Sequence, residues 1–382
     1  MKYRNFGQLQ WKASALGFGV MRLPHEEGES SRILEDEAVE MVRFAIDKGL
    51  NYFDTAYNYH GGESEKFLGR VLSGGYRDKV KVATKLPSWK VEKKEDFDRF
   101  FDEQIERLQV DCIDFYLLHA LQRDWWDRVY DLGYLDWAEK KLADGSIAHL
   151  GFSFHDKFPL FKRIVDAYDN WTMTLLMYNY MDVDFQAGTK GVKYAADNGM
   201  AVVVMEPLRG GLLAKEPPAS VKRIFDDSRV RRTPADWSLQ WLWDRPEVSC
   251  VISGMSNMKQ LEENIESAGD SGIGTMTEYE KEVLEKVRAQ YNTKKSIPCT
   301  DCRYCLPCPE QVAIPWILGY YNISEMYESP KTARAHYSFL DEKNRANKCT
   351  QCGKCVEKCP QHINVPAELA RIHEMLKPDQ TG

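Results

Sequence analysis

Eight of the ten cysteines in this chain fall in two runs, Cys299, Cys302, Cys305, Cys308 and Cys349, Cys352, Cys355, Cys359, with Pro309 and Pro360 directly after them. Three thiolates spaced two residues apart can wrap one iron–sulfur cube, each binding a different iron, so the runs predict two clusters and single-electron chemistry. A pair of zinc sites is the alternative. Zinc sites usually join Cys-x2-4-Cys knuckles across a longer gap, and triple runs ending in Cys-Pro are not their habit.

A second set of reactive side chains ends successive apolar stretches: Asp54 after Asn51-Tyr52-Phe53, Lys85 after Val82-Ala83-Thr84, and His119 after Tyr116-Leu117-Leu118. Tyr59 follows Asp54 by five residues. A tyrosine with its ordinary pKa of about 10 is a poor proton donor at neutral pH. A nearby ammonium stabilises the phenolate and lowers that value. Lys85 can supply the ammonium, Asp54 can hold Lys85 charged in a buried pair, and His119 can orient a substrate oxygen or share the proton. Tyr59 then reads as a tuned general acid. Any one of these residues alone is more simply structural, and it is their joint placement that points to a site.

The elements that must position them repeat. From about residue 15 to 290, short apolar runs alternate with longer amphipathic ones, as βα units do. The runs are Ala15–Val20, Leu50–Phe53, Val80–Thr84, Cys112–Leu118, Ala148–Phe152, Met173–Leu176, Ala201–Met205 and Ser249–Ile252. Eight of them predict an α/β fold, a (β/α)8 TIM barrel, with helices over Glu35–Lys48, Lys94–Leu108 and Thr233–Trp243. The spacings from Asp54 to Lys85 and on to His119, 31 and 34 residues, are one unit each. In a parallel barrel all three then share the C-terminal face, where barrel enzymes carry their active sites. A doubly wound sheet would carry Gly-x-Gly-x-x-Gly after its first strand, and Gly17-Phe18-Gly19 lacks the third glycine.

An amphipathic connector, Glu278–Tyr291, places the boundary near residue 290, with a barrel over 1–290 and a small, mostly helical cluster domain over 291–382. Lys348, Lys354 and Lys358 surround the second run, either to offset anionic clusters, to dock an acidic donor, or as an ordinary solvated face. Cys112 and Cys250 lie in apolar strands as small hydrophobes. Trp125 and Trp126 follow the fourth strand and read as substrate contacts or as packing.

Composition narrows the class further. The 382 residues are 43% hydrophobic and 29% charged, as in globular proteins, and the formal charge of −7 with no basic stripe argues against nucleic acid. No apolar run reaches membrane-spanning length. The start, Met1-Lys2-Tyr3-Arg4-Asn5-Phe6, lacks a signal peptide's apolar core, so a cytoplasmic location is expected.

The second cysteine run has the spacing of bacterial ferredoxins, in which the fourth cysteine ligates the other run's cluster. The resemblance implies one 4Fe-4S cluster on Cys299, Cys302, Cys305 and Cys359, and another on Cys349, Cys352, Cys355 and Cys308. The first run departs by one residue before its last cysteine. The barrel resembles the aldo-keto reductase family, whose catalytic tetrad is Asp, Tyr, Lys and His. The matching segments are Phe53-Asp54-Thr55-Ala56-Tyr57-Asn58-Tyr59, Ala83-Thr84-Lys85, Asp114-Phe115-Tyr116-Leu117-Leu118-His119, Gly151-Phe152-Ser153, Tyr178-Asn179, Pro207-Leu208-Arg209-Gly210-Gly211, and Ile252-Ser253-Gly254 through Glu263-Asn264. The whole chain is similar to the branch of that family with a C-terminal ferredoxin-like domain.

This resemblance implies catalytic roles for Asp54, Tyr59, Lys85 and His119, with NADPH or NADH as hydride donor to a carbonyl. It places the cofactor at Gly19, Val20, Met21, Ser153, Met205, Pro207, Leu208, Gly210, Gly254, Gln260, Glu263 and Asn264. The phosphates would be held by backbone around Pro207–Leu212 and at the Gly254–Asn264 helix start, a sound anion site. Several positions depart from the family pattern: Phe154 replaces an Asn or Arg, Leu175 a Gln, Met205 an aromatic and Glu206 a Ser. Gly254 and Gln260 stand where basic residues often clamp a 2'-phosphate, so the residues themselves express no preference for NADPH. Arg231 and Arg232 serve the cofactor or are plain surface charge.

Three functions follow. The first is a nicotinamide-dependent carbonyl reductase acting on a small aldehyde, ketone or alcohol. The second is a ferredoxin-linked reductase using a flavin or stepwise electron delivery through the clusters, which the altered nicotinamide positions motivate. The third is a redox-sensing or regulatory subunit, against which the intact tetrad counts.

Overall fold

Each apolar run is a strand of one closed parallel barrel in the computed structural model, which describes residues 1–377. In chain order the strands are β1 (Leu16–Gly19), β2 (Tyr52–Asp54), β3 (Lys81–Leu86), β4 (Ile113–Leu121), β5 (Ile147–Phe154), β6 (Met173–Met177), β7 (Ala201–Met205) and β8 (Val248–Ser253), with β8 pairing back onto β1. Closure excludes the doubly wound alternative. Strands covered by helices outside and by packed side chains inside are apolar on both faces, which is why they read as continuous runs. Cys250 points into this interior, and Cys112 sits one residue before β4, only partly buried.

The barrel's N-terminal end is plugged. A hairpin pairs Tyr3–Asn5 with Lys12–Ser14, and Phe6 behind it lies with its ring 5.0 Å from Phe115 and 5.7 Å from Tyr52. Arg4 fastens the hairpin by donating to the carbonyls of Val248 and Trp243, both at 2.7 Å, and Arg245 at 2.5 Å. With that end filled, the polar ends of β2, β3 and β4 are left to line the opposite face. Register keeps them level, Asp54 opposite Ala83 and Lys85 opposite Leu117.

The helices begin where local chemistry starts them. Glu95–Leu108 opens with Glu95, Asp96 and Asp98 against its positive end. Pro234–Trp243 has proline in its first turn, and Thr233 Oγ1 accepts from the Asp236 N–H at 3.1 Å.

The chain divides into two compact units, Met1–Lys215 with Arg232–Glu278, and Glu216–Arg231 with Tyr279 onward. The connector helix, Glu278–Thr293, therefore belongs almost wholly to the second unit and not to the barrel. The last residues of the expected 291–382 domain, 378–382, lie outside the described residues. The cluster region is mostly helical, with Ile314–Tyr327, Pro330–Ser338 and Val365–Leu376 packed around Ile317, Leu318, Tyr337, Leu369 and Ile372. Asn322 pins the approach to the first cysteine run. Its Oδ1 accepts from the Ile297 N–H at 3.0 Å and its Nδ2 donates to the Ile297 carbonyl at 2.9 Å. No helix among the described residues is long and apolar enough to cross a membrane.

Candidate functional site

Lys85 is fully buried, and its ammonium donates to Asp54 Oδ1 and to the Thr55 carbonyl, both at 2.6 Å. The same ammonium lies 5.0 Å from the centre of the Tyr59 ring, and His119 stands edge-on to that ring at 5.9 Å. The three residues expected from strand ends and the loop tyrosine are thus brought together.

Their protonation follows from packing as much as from charge. Burial opposes the Lys85 charge, but Asp54 and Tyr59 outweigh it, and its pKa rises. Burial pushes the Asp54 carboxyl up while Lys85 pulls it down, with a net rise. Burial and then Lys85 press His119 well below its ordinary value, so its imidazole is neutral. Tyr59 differs from the sequence expectation: Lys85 does lower its pKa, but burial of the hydroxyl outweighs the ammonium and the net direction is upward.

A deep support holds Lys85 from behind. Glu65 is fully buried, accepts from Thr84 Oγ1 at 2.6 Å and pairs with Arg107 at 3.2 Å. Gln104 donates to Thr84 Oγ1 at 3.0 Å and to the Lys85 carbonyl at 3.2 Å. Strand spacing gave no sign of this network, because its members meet only through the packing of two helices on β3.

A cleft of about 600 Å³ opens beside Asp54 and Tyr59. Gly19, Met21, Met205, Pro207, Leu208, Gly210, Gly254, Gln260, Glu263 and Asn264 line it, as do Leu175, Arg22 and Glu206. Two expected cofactor residues are not among its lining. Val20 is fully buried, its carbonyl accepting from Ser64 Oγ at 3.3 Å, and Ser153 Oγ accepts from the Ala120 N–H at 2.6 Å. The expected backbone anion site has part of its donors already committed. The N–H groups of Arg209, Gly211, Leu212 and Leu213 donate to carbonyls of the same loop, at 3.0 to 3.2 Å. At the helix start, the Gln260 N–H is taken by Asn257 Oδ1 at 3.0 Å. Arg232 lies 3.7 Å from Asp236, as a helix-end ion pair.

The tryptophan pair divides. Trp126 is buried, its ring 5.2 Å from Tyr130, whereas Trp125 reaches Trp89 at 5.9 Å. Trp89 in turn lies 5.0 Å from His119, an aromatic cover that the sequence reading missed.

The eight cysteines gather in two adjoining cavities. One is lined by Cys299, Cys302, Cys305 and Cys359, the other by Cys308, Cys349, Cys352 and Cys355, and Cys305 lines both. The two runs share a backbone pattern despite their unequal spacing. The residues before and after the second cysteine are left-handed in both, Asp301 (φ 52) and Arg303 (φ 66) in one, Gln351 (φ 55) and Gly353 (φ 74) in the other. Three residues past the last cysteine, Gln311 (φ 58) and His362 (φ 52) repeat it again. Non-glycine residues adopt this conformation at a cost, and its recurrence turns three sulfurs of each run toward one cavity. Burial pushes the Cys305 thiol up to about 11, with Cys299 adding to it. Thiolates crowded in this way need cationic metal between them, so the residues fit the expected clusters.

Comparison with known proteins agrees with both halves. The Aldo/keto reductase family model matches residues 15–271, and a 4Fe-4S dicluster domain model matches residues 298–364. L-galactose dehydrogenase of Arabidopsis thaliana is 28% identical over 317 residues, covering 75% of this chain and 96% of its own. The 6-dehydroglucose reductase of Novosphingobium aromaticivorans is 27% identical over 285 residues, covering 69% and 90%. Among solved structures, a Bacillus halodurans aldo-keto reductase superposes with a TM-score of 0.63 at 24% identity, over 75% of this chain and 96% of that one, a likeness of fold. With a closed eight-stranded barrel matched across its length and a dicluster domain behind it, this chain belongs to the aldo/keto reductase family.

Proposed function

We propose that the barrel reduces an aldehyde or ketone, or oxidises the corresponding alcohol, with NADPH or NADH in the cleft and Tyr59 as the general acid or base. The observation that carries this reading is Lys85, held at 2.6 Å from Asp54 and beneath the ring of Tyr59, with Asp54 and Tyr59 lining a cleft of about 600 Å³. A dinucleotide fits the groups present. Asp54 lines the cleft with its Oδ2 buried and without a hydrogen-bond partner, an acceptor suited to a hydroxyl or amide donor. Bound there, the nicotinamide supplies or accepts the hydride.

The side chains do the rest. Neutral His119 can donate to the substrate oxygen, Trp89 and Trp125 cover it against water, and Tyr59 passes its proton as negative charge grows on that oxygen. Lys85 matters most at that moment, because its positive charge favours the phenolate that remains. The names of two relatives, a galactose dehydrogenase and a dehydroglucose reductase, support a small carbonyl or alcohol substrate. The eight cysteines hold two 4Fe-4S clusters in crossed sets, each set lining one cavity, and give the protein a one-electron port for a ferredoxin or similar carrier. A cytoplasmic site of action suits such clusters.

Tyr59→Phe tests the catalytic assignment. NAD(P)H oxidation with a panel of small aldehydes should fall about 10²- to 10⁴-fold, with fold and iron content unchanged. Near-normal turnover would remove Tyr59 from the role. A second reading, a flavin or stepwise electron delivery in the same cleft, draws on Leu175 and Met205, which line the cleft but offer no hydrogen bond to a nicotinamide amide. Flavin absorbance in the purified protein, or turnover driven by dithionite but not by NAD(P)H, would select it.

A further inference from the structure

The cleft holds a carboxylate where an anionic cofactor has to lie. Glu206 lines it directly after β7, in a left-handed conformation (φ 55) that non-glycine residues adopt only under constraint. Across from it is Arg22, whose Nη2 lies 4.0 Å from Glu206 Oε1, with the two side chains 48% and 35% exposed. This separation is too long for a charge-assisted hydrogen bond, so the pair is attracted but not closed.

One glycine makes room for the arginine and a second lies beside the pair. A Cβ on Gly254 would lie 3.0 Å from Arg22 Cδ and 3.1 Å from its Cγ, so the arginine stem rests on bare backbone at the end of β8. A Cβ on Gly210 would lie 3.6 Å from Glu206 Oε2 and 3.7 Å from Arg22 Nη2. The pair thus spans the cleft between the two segments expected to hold phosphate. The first of those segments has committed several of its donors, since the N–H groups of Arg209, Gly211, Leu212 and Leu213 are bonded within their own loop. The loop's arginine, Arg209, is held by Asp182 at 3.0 Å. A diphosphate entering this cleft needs a cation, and an arginine fork matches its oxygens.

We propose that Arg22 is the cation for the diphosphate of the bound dinucleotide and that Glu206 is the carboxylate this diphosphate displaces. The proposal rests on the dinucleotide reading of the cleft. Glu206 attracts Arg22 across the cleft and competes with the ligand for it, so the carboxylate sets how tightly the cofactor binds and how readily it leaves.

Anaerobic calorimetric titration of the full-length protein with ADP, NADH and NADPH tests this. Arg22→Met should weaken ADP and both dinucleotides about tenfold or more, the loss of a charged hydrogen bond. Glu206→Gln should tighten them severalfold, and Lys215→Met, at the other lining cation, should do less than Arg22→Met. Arg22→Met binding within twofold of the wild type, or Glu206→Gln weakening all three ligands, overturns the proposal. A wild type that turns over NAD(P)H while Arg22→Met binds it normally refutes Arg22 alone. A wild type that binds ADP through Arg22 but never uses NAD(P)H refutes the nicotinamide reading alone. Failure to bind any of the three refutes both.

Discussion

Replacing Lys85 by methionine separates the buried ion pair from the packing around it. The Lys85 and Asp54 side chains are 0% and 2% exposed, and the pair is 2.6 Å apart. In Lys85→Met the Asp54 carboxyl keeps the burial that already pushes its pKa up and loses the ammonium that opposes it. The folded state then binds a proton that the unfolded chain releases above its ordinary value of about 3.9. A raised folded pKa means that stability is fully present below that value and falls as pH rises. The slope is at most about 1.4 kcal/mol per pH unit. Across about three units the loss reaches about 4 kcal/mol, in line with the 3–5 kcal/mol typical of breaking a buried pair. The double variant Asp54→Asn/Lys85→Met buries no lone charge and should recover most of that loss with no such slope. Urea unfolding between pH 4 and 8, followed by tryptophan fluorescence, reads the barrel, since nine of the ten tryptophans precede residue 244. A Lys85→Met profile parallel to the wild type, within about 1 kcal/mol at pH 7, would contradict the buried-pair argument.

The crossed cysteine sets make opposite demands on paired substitutions. Cys302→Ser/Cys308→Ser draws one ligand from each cavity and should abolish both clusters, whereas Cys308→Ser/Cys352→Ser draws two from one cavity and should leave half the iron, read by iron analysis and electron paramagnetic resonance; the reverse result would mean that each run holds its own cluster. The two tryptophans should also part. Trp126→Ala empties a buried position and costs about 3–5 kcal/mol in unfolding experiments. Trp125→Ala should leave stability nearly unchanged while shifting KM for the carbonyl, and equal effects of the two would refute the division.

Much of this was written in the chain. All eight strands were legible because a barrel strand is apolar on both faces, and Asp54, Lys85 and His119 were legible because one polar residue ended each run at the repeat of a βα unit. The two cysteine runs were legible from spacing and the ferredoxin resemblance implied their crossed sets, although the first run is one residue short. Its backbone reproduces the second run's left-handed turns at Asp301, Arg303 and Gln311, and no spacing rule shows that. What stayed hidden depends on tertiary contact. Trp89 sits in the short turn Ser88–Lys90, and only the pairing of β3 with β4 carries it to His119. Arg22 and Glu206 stand 184 positions apart and meet only because β8 closes on β1. The connector helix carried an amphipathic pattern that fits either unit, so the pattern could not assign it.

The direction of the Tyr59 shift shows why a list of charges is not yet a site. Counting neighbours, Lys85 should make the phenol more acidic, yet the packing that brings Lys85 close also removes the water that would solvate a phenolate, and the second effect is larger. The same packing keeps His119 neutral. At neutral pH the site then holds two uncharged donors and one closed ion pair, with almost no net charge of its own. On the proposed reading, when hydride reaches a carbonyl carbon, the substrate oxygen becomes the one new uncompensated charge beside this closed ion pair. The Lys85 ammonium, already in place beneath Tyr59, can respond to that charge with no rearrangement. On the proposed reading, a tyrosine that is reluctant in the resting state and favoured only once that oxygen turns anionic would be a donor that acts in the transition state, which is where an interaction raises rate.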